Sequence, residues 1–506
     1  MLLEQLLHEV PLQATHGNLD VTVSALTCDS REVTAGTLFF ALHGSKVDGH
    51  RFISQAVTAG AAAVVLEDAS YAPEQVPWLQ VTNGRQAMAL MAARFFGNPT
   101  RDLPLIGITG TNGKTTTSYL LEGILTAAGL PPAVLGTISY RFGTTCIEAS
   151  HTTPESTELQ GIFRQLADAG AQAFVMEVSS HSLEQRRVDG SVFDIGVFTN
   201  LTRDHLDYHG TMQAYGSAKQ RLFSELLRPD DRTPLRHAVI NADDPAAEEF
   251  IRAAACPVIR YGLAPGSEVT VRETTSSVNG ISAILVTPQG EQPFHSRLLG
   301  GFNLSNILAA AAAGVALGLP LQAIIQGIEQ HTTVPGRLER VENRAGVTCL
   351  VDYAHTGDAL ENVLSTLKDL AGARIITVFG CGGDRDNGKR PIMGRIAAGY
   401  SDLAVVTSDN PRTEDPHEIL RQIRAGILPL GLREYRPDEL TAPPEDKGFV
   451  MLENRREAIR LAVRLARPGD ILLLAGKGHE DYQIIGQTKQ HFDDREEAAN
   501  AFRERI

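Results

Sequence analysis

No stretch of about 18 uninterrupted apolar residues occurs in this 506-residue chain, so no segment reads as a membrane-spanning helix. Its first residues, Met1-Leu2-Leu3-Glu4-Gln5-Leu6-Leu7, lack the basic n-region and long apolar core of an export signal. Cysteine is scarce. The five present, Cys28, Cys146, Cys256, Cys349 and Cys381, never form a C-x-x-C pair, which argues against a disulfide framework or a zinc site and fits a reducing cytosol. Positive charge is also in deficit: 46 basic against 60 acidic side chains give a net charge of -14. This argues against a general nucleic-acid or anionic-membrane surface, and any anionic substrate must be held by local basic groups and backbone amides. The chain shows no repeat of solenoid length and no Ser/His/Asp hydrolase signature. The expectation is a cytoplasmic enzyme of about three domains, with no nucleic-acid partner and no membrane insertion.

What is present is a loop of glycines and threonines in an informative context. Gly107-Ile108-Thr109-Gly110-Thr111-Asn112-Gly113-Lys114-Thr115-Thr116-Thr117 joins an apolar run at 103–108 to a helix-like segment at 118–128. Strand, glycine loop and helix in that order cradle phosphate: backbone N–H groups turn inward and the helix presents its positive N-terminal end. Lys114 supplies a mobile cation, and the Thr115 hydroxyl suits a magnesium ion. ATP or GTP is the natural ligand. The spacing departs from G-x-x-x-x-G-K-[ST], because Ile108 stands where the first glycine belongs and Gly107 falls one residue early. The loop therefore reads as a variant, the bland alternative being a glycine-rich turn with no ligand.

Hydrophobic periodicity divides the chain into three α/β units, at 1–95, 96–334 and 335–506. In the first, 37–42 and 62–66 read as strands and 52–59 as a helix. The second has buried-strand runs at 105–109, 173–178, 195–199 and 238–241 alternating with helices, which implies a largely parallel sheet. Alternating residues near 269–272 and the turn signal Asn279-Gly280 predict an antiparallel appendage over 267–300. The alanine-rich stretch 306–319 reads as a buried helix. Strands are expected again at 349–351, 375–379, 403–407 and 471–474.

Polar clusters follow several of these strands, where open parallel sheets bind ligands. Glu177-Val178-Ser179-Ser180-His181 follows one, and 199–207, with Asp204 and His205, follows another. A carboxylate and an imidazole beside a phosphate loop could hold Mg²⁺, which takes few protein ligands; as an alternative, Glu177 and His205 cap turns. In the last unit, Arg390, Arg412 (in Asp409-Asn410-Pro411-Arg412) and Glu480 (after Gly476-Lys477-Gly478) are placed beyond strand-like runs. Two cations and one anion fit an amino acid with an additional carboxylate; a structural ion-pair cluster is the alternative. The turn 380–384 lacks G-x-G-x-x-G spacing and is discounted as a dinucleotide loop.

Seven motifs then fall in one order: GTNGKTT at 110–116, EVSSH at 177–181, TNLTRDHLDYH at 199–209, Gly301-Phe302-Asn303 to Asn306, Pro335-Gly336-Arg337, Asp352-Tyr353-Ala354-His355, and Asp409-Asn410-Pro411-Arg412. Over essentially the whole chain this resembles the Mur ligase family, and within it the type that adds the third amino acid of the peptidoglycan stem peptide. The resemblance implies an N-terminal domain for the UDP part of the substrate, a central ATPase domain and a C-terminal Rossmann-like domain for the amino acid. It implies ATP-dependent amide formation through an acyl phosphate, with ATP held by Gly110, Thr111, Asn112, Gly113, Lys114, Thr115, Thr116, Asn303, Arg337 and Asp352. Thr115, Glu177, His205 and Lys219 would surround Mg²⁺, with Lys219 as a carbamate, although in sequence alone it looks like a solvated helical lysine. Ser30, His43 and Gly44 would grip the uridine diphosphate, and Thr152, Thr153, Ser179, Gln185 and Arg187 the muramoyl dipeptide. Arg390, Asp409, Asn410, Pro411, Arg412, Gly476 and Glu480 would take the amino acid. The Asp-Asn-Pro-Arg form implies meso-diaminopimelate added to UDP-N-acetylmuramoyl-L-Ala-D-Glu by a monomer. Three alternatives stay open: a lysine-adding ligase of the same family, a folylpolyglutamate synthase-like ligase, and an ATP-binding regulatory or kinase-like phosphate-loop protein.

Overall fold

Apolar runs bounded by turn residues become parallel strands buried on both faces. In this computed structural model residues 1–44, 47–229, 236–330, 333–371 and 374–505 are described. The chain divides into one unit of Met1–Arg272, Leu285–Gln292 and Ser305–Gln330, and another of Glu273–Ile284, Pro293–Leu304 and His331–Ile506.

The first unit contains two sheets. The N-terminal one has the order Leu12–His16, Trp78–Val81, Ala63–Leu66, Thr37–Phe40, Ala25–Thr27, and only its outer strand Leu12–His16 runs antiparallel. Where one helix is expected at 52–59, a 3₁₀ turn at Gly49–Phe52 precedes a helix at Ile53–Thr58, with Asp48 capping the turn.

The eight-stranded sheet has the order Val258–Tyr261, His237–Asn241, Ile195–Phe198, Leu105–Thr109, Ala173–Glu177, Pro132–Leu135, Ser139–Phe142, Thr145–Glu148. Leu105–Thr109 is fully buried, and its parallel neighbours are Ala173–Glu177 and Ile195–Phe198. The chain passes from this strand to Pro132–Leu135 on one side and from its neighbour Ile195–Phe198 to His237–Asn241 on the other, so the crevice at their carboxyl ends is the topological switch point where such sheets bind ligands. Gly107 lies inside the strand rather than in the loop: a Cβ there would meet the Phe193 ring, so this glycine serves close packing. That accounts for a glycine one residue too early.

Strands Thr270–Ser277, Gly280–Thr287 and Gly290–Ser296 form the predicted appendage, their two-residue connections allowing only antiparallel pairing. The alanine-rich helix begins five residues before its expected start, at Gly301–Ala316, and so takes in Asn303.

In the second unit, a seven-stranded sheet has the order Glu339–Val341, Thr348–Asp352, Ile471–Ala475, Ile375–Phe379, Leu403–Val406, Gly448–Met451, Arg433–Tyr435, all parallel except the first. Side-chain alternation sends Leu350, Phe379, Val406 and Leu473 into one buried cluster and Val351, Val378, Val405 and Leu474 into another, one on each face. Asp352 consequently closes its strand, and Gly476, Gly380 and Asp409 follow the carboxyl ends of the three neighbouring strands.

Candidate active site

The phosphate loop is pinned by the neighbouring strand-end turn. Thr111 N–H donates to Asn200 O at 2.9 Å and Asn112 N–H to Asn200 Oδ1 at 2.8 Å. The Thr199 hydroxyl and the Asn200 amide both donate to Asn112 O, at 2.6 and 3.1 Å. Gly113 stands at φ +88°, where a side chain would be strained and would run into Asn306, and helix Lys114–Ala127 starts directly after it. Thr115 and Thr116 are buried in that helix's first turn. Lys114 Nζ donates to Gly110 O at 2.9 Å and Thr111 O at 2.8 Å, so the lysine folds back over the loop it serves.

Thr115 and Glu177 are brought together: the Thr115 hydroxyl donates to Glu177 Oε2 at 3.1 Å. Thr137 supports the same carboxylate, its N–H donating to Oε1 at 3.0 Å and its hydroxyl to Oε2 at 2.9 Å. His205, in a left-handed conformation at φ +51°, has Nε2 3.4 Å from Asp204 Oδ2. Burial, partly offset by Asp204, keeps its imidazole below the usual range and hence neutral, the form that binds metal.

The expectation of a solvated Lys219 is wrong. It is buried on helix Met212–Arg221, with Nζ donating to Gly110 O at 2.9 Å and lying 4.4 Å from the Tyr215 ring centre. Desolvation, then the charge of Lys114, lower its pKa well below that of a free lysine, which favours the uncharged amine. An ammonium there would repel a metal ion, whereas the hydroxyl and carboxylate of Thr115 and Glu177 are the hard oxygen donors that magnesium prefers.

Residues assigned to the dipeptide also converge. Thr153 Oγ1 donates to Glu177 O at 2.8 Å and accepts from Ser179 N–H at 3.1 Å. Thr152 Oγ1 lies 3.1 Å from Thr137 Oγ1. Arg187 donates to Gln185 Oε1 at 2.8 Å and to Thr153 O at 2.9 Å, and pairs with Glu155 at 2.7 Å. Gln185 in turn donates to the Tyr208 hydroxyl at 3.1 Å. His181 is pushed down to about 4 by burial, with His205, His209 and Arg187 adding to the effect. Toward the N-terminus, the Ser30 hydroxyl donates to Gln55 Oε1 at 3.3 Å, Gly44 N–H to Val47 O at 3.1 Å, and His43 Nδ1 lies 3.3 Å from Asp48.

The second unit holds the remaining residues. Asn303 donates to Leu299 O at 2.8 Å. The Arg337 guanidinium lies 5.1 Å from the Tyr353 ring centre, in a cavity of about 350 Å³ also lined by His295, Arg297 and Arg340. Asp352 is less available than a ribose ligand should be: its two oxygens accept from Leu338 N–H at 2.7 Å and Ala354 N–H at 2.8 Å. Arg390 also departs from expectation. It lies in helix Lys389–Tyr400 rather than at a strand end, is fully buried, and donates to both Glu414 oxygens at 2.9 and 3.0 Å. Its charge is already matched.

Arg412, at φ +51°, donates from Nη1 to Gly383 O at 2.9 Å. Asn410 donates to Glu480 Oε2 at 3.0 Å, and Pro411 O accepts from Glu414 N–H at 3.2 Å. Gly476 N–H donates to Asp352 O at 3.0 Å. Burial, then Asp409, raise the Glu480 carboxyl above the usual range. Sequence reasoning gave no role to Thr137, Asn200, Glu155, Glu414 and Lys477. Asn200 lies inside the 199–209 motif and Lys477 inside Gly476-Lys477-Gly478, Glu414 follows Arg412 by two residues, and nothing local marks Thr137.

A phosphate loop on a central strand of a largely parallel sheet, with Thr115, Thr137 and Glu177 hydrogen-bonded beside it, places the chain in the phosphate-loop class. Family profiles narrow this: residues 108–314 match the Mur ligase middle domain, 336–478 the Mur ligase glutamate ligase domain, and 22–96 the Mur ligase family catalytic domain. The chain belongs to the Mur ligase family. It is 62% identical to the UDP-N-acetylmuramoyl-L-alanyl-D-glutamate--2,6-diaminopimelate ligase of Geobacter metallireducens over 100% of this chain and 99% of that one. The protein of the same name from Geobacter sulfurreducens is 59% identical over 99% of each. A solved structure of a ligase of that name superposes with a TM-score of 0.71 at 33% identity, covering 100% of this chain and 99% of the other.

Proposed function

We propose that this chain joins meso-diaminopimelate to UDP-N-acetylmuramoyl-L-Ala-D-Glu at the cost of ATP, in peptidoglycan precursor synthesis in the cytoplasm. The observation that carries the reading is the pairing of a built phosphate loop with a C-terminal cluster of Asp409, Asn410, Arg412 and Glu480, in a family whose full-length relatives bear that name. Among the described residues no helix is long and apolar enough to cross a membrane.

The reaction transfers a phosphoryl group from ATP to the dipeptide carboxylate. The amino acid's amine then attacks the acyl carbon, and the tetrahedral intermediate expels phosphate. Such chemistry needs positioning and charge neutralisation more than a protein nucleophile. Lys114 and the loop amides hold the β and γ phosphates. Thr115, Glu177, His205 and a carbamylated Lys219 would hold magnesium, which supplies positive charge to the phosphate oxygens. The carbamate forms when the uncharged Lys219 nitrogen attacks the carbon of CO₂, making an N–C bond and releasing a proton. Ser30, His43 and Gly44 bind the uridine diphosphate, and Thr152, Thr153, Ser179, Gln185 and Arg187 the muramoyl dipeptide. Domains at 1–95, 96–334 and 335–506 divide these tasks.

Phosphate release tests this directly. With purified protein, release from ATP is expected only when the UDP-dipeptide and meso-diaminopimelate are both present. Release independent of either would favour a regulatory ATPase instead.

A further inference from the structure

Lys477 has a fully buried side chain and no role in the reading above. Its ammonium donates to Tyr482 O at 2.6 Å and Asn410 Oδ1 at 3.2 Å, and lies 3.5 Å from Asp409 Oδ1 and 3.8 Å from Glu480 Oε2. It thus joins the turn after strand Leu403–Val406 to the turn after strand Ile471–Ala475, the two turns that carry the proposed amino-acid ligands.

The surrounding charges can be counted. Arg455 is matched by Asp494 at 2.5 Å and Arg390 by Glu414 at 2.9 Å, so these pairs cancel. The charges that act most directly on Glu480 are then Asp409, Lys477 and Arg412. Asp409 Oδ1 is buried and accepts no hydrogen bond among the described residues, so one carboxylate oxygen has a nearby cation and lacks a donor. Burial and then Asp409 raise the Glu480 carboxyl, and Lys477 is the first of the groups that oppose this.

We propose that Lys477 is a positioning and specificity-determining residue for the incoming amino acid: it balances one of the Asp409 and Glu480 carboxylates, so that the cluster accepts a distal head group carrying both an ammonium and a carboxylate. The proposal rests on the diaminopimelate-adding function above. With Lys477 present the charges of Lys477, Arg412, Asp409 and Glu480 sum to zero, matching a zwitterionic head group whose ammonium meets the acids and whose carboxylate meets Arg412. Without it the cluster has one excess negative charge and suits a lone ammonium, the head group of lysine.

The test measures kcat/KM for meso-diaminopimelate and for L-lysine, with ATP and UDP-dipeptide saturating, in wild type, Lys477→Met and the charge-restored double variant Lys477→Met/Asp409→Asn. In Lys477→Met the ratio of the two kcat/KM values should move toward lysine by at least about tenfold. In the double variant it should return to within about threefold of wild type, whatever the absolute rates. An equal fall for both substrates in Lys477→Met, as a merely structural lesion would give, overturns the proposal. So does a ratio that stays collapsed in the double variant. Circular dichroism closes the remaining cases: a single variant that fails to fold beside a folded, selective double variant supports charge balancing, and failure of both overturns it. A wild-type enzyme that does not use meso-diaminopimelate would instead refute the underlying function, before any variant is compared.

Discussion

Lys219 shows how far environment can redefine a residue. In sequence it is one of 46 basic side chains, yet burial between the Tyr215 ring and Gly110 O removes the solvent that favours its charged form. If it works as a carbamate, Lys219→Ala should lose most ligase activity, and a small added carboxylate should restore part of it by filling the vacated oxygen-ligand position. Rates measured across an acetate or formate titration check this; an alanine variant as active as wild type would remove the role. Arg412 makes a separate case. Its guanidinium fork can pair with a distal carboxylate through two charge-assisted hydrogen bonds, and losing one partner of such a pair costs about 2–5 kcal/mol. Arg412→Ala should therefore lower kcat/KM for meso-diaminopimelate at least about thirtyfold, chiefly through KM, and steady-state kinetics giving less than about threefold would count against the clamp.

Elements were legible where hydrophobic pattern and turn chemistry agreed. Strand Leu105–Thr109, the loop and helix Lys114–Ala127 could be read because a fully apolar run meets a glycine turn and then a helical period. The hairpin strands Ser139–Phe142 and Thr145–Glu148 escaped notice, being only four residues each, the outer one a largely exposed edge strand with little hydrophobic signal. Arg390 was misread for a different reason: a basic residue near a strand end looks like a ligand for substrate until the acid that neutralises it, Glu414, is placed 24 positions away. Arg455 belongs to the same kind of hidden pairing. From helix Arg455–Leu465 it binds Asp494, the first residue of helix Asp494–Glu504, and donates to Ala475 O at 3.0 Å, tying two helices to the strand that carries Gly476. Arg455→Met would leave Asp494 buried without its partner, at a cost of about 3–5 kcal/mol. Urea denaturation should register a loss of that size, and a loss under about 1 kcal/mol would show that the pair matters little to the unit.

At the scale of the whole molecule, the proposed function divides binding tasks among sheets that each end in a polar cluster: the loop after Leu105–Thr109 would take phosphate, and the turns after Leu403–Val406 and Ile471–Ala475 the amino acid. The central claim is that these clusters serve one reaction with one amino acid. It is tested most directly by supplying ATP, UDP-N-acetylmuramoyl-L-Ala-D-Glu and equimolar meso-diaminopimelate and L-lysine, then weighing the nucleotide product by mass spectrometry. The account predicts a product carrying diaminopimelate almost alone, whereas a lysine-bearing product in comparable amount, or no UDP-tripeptide at all, would contradict it.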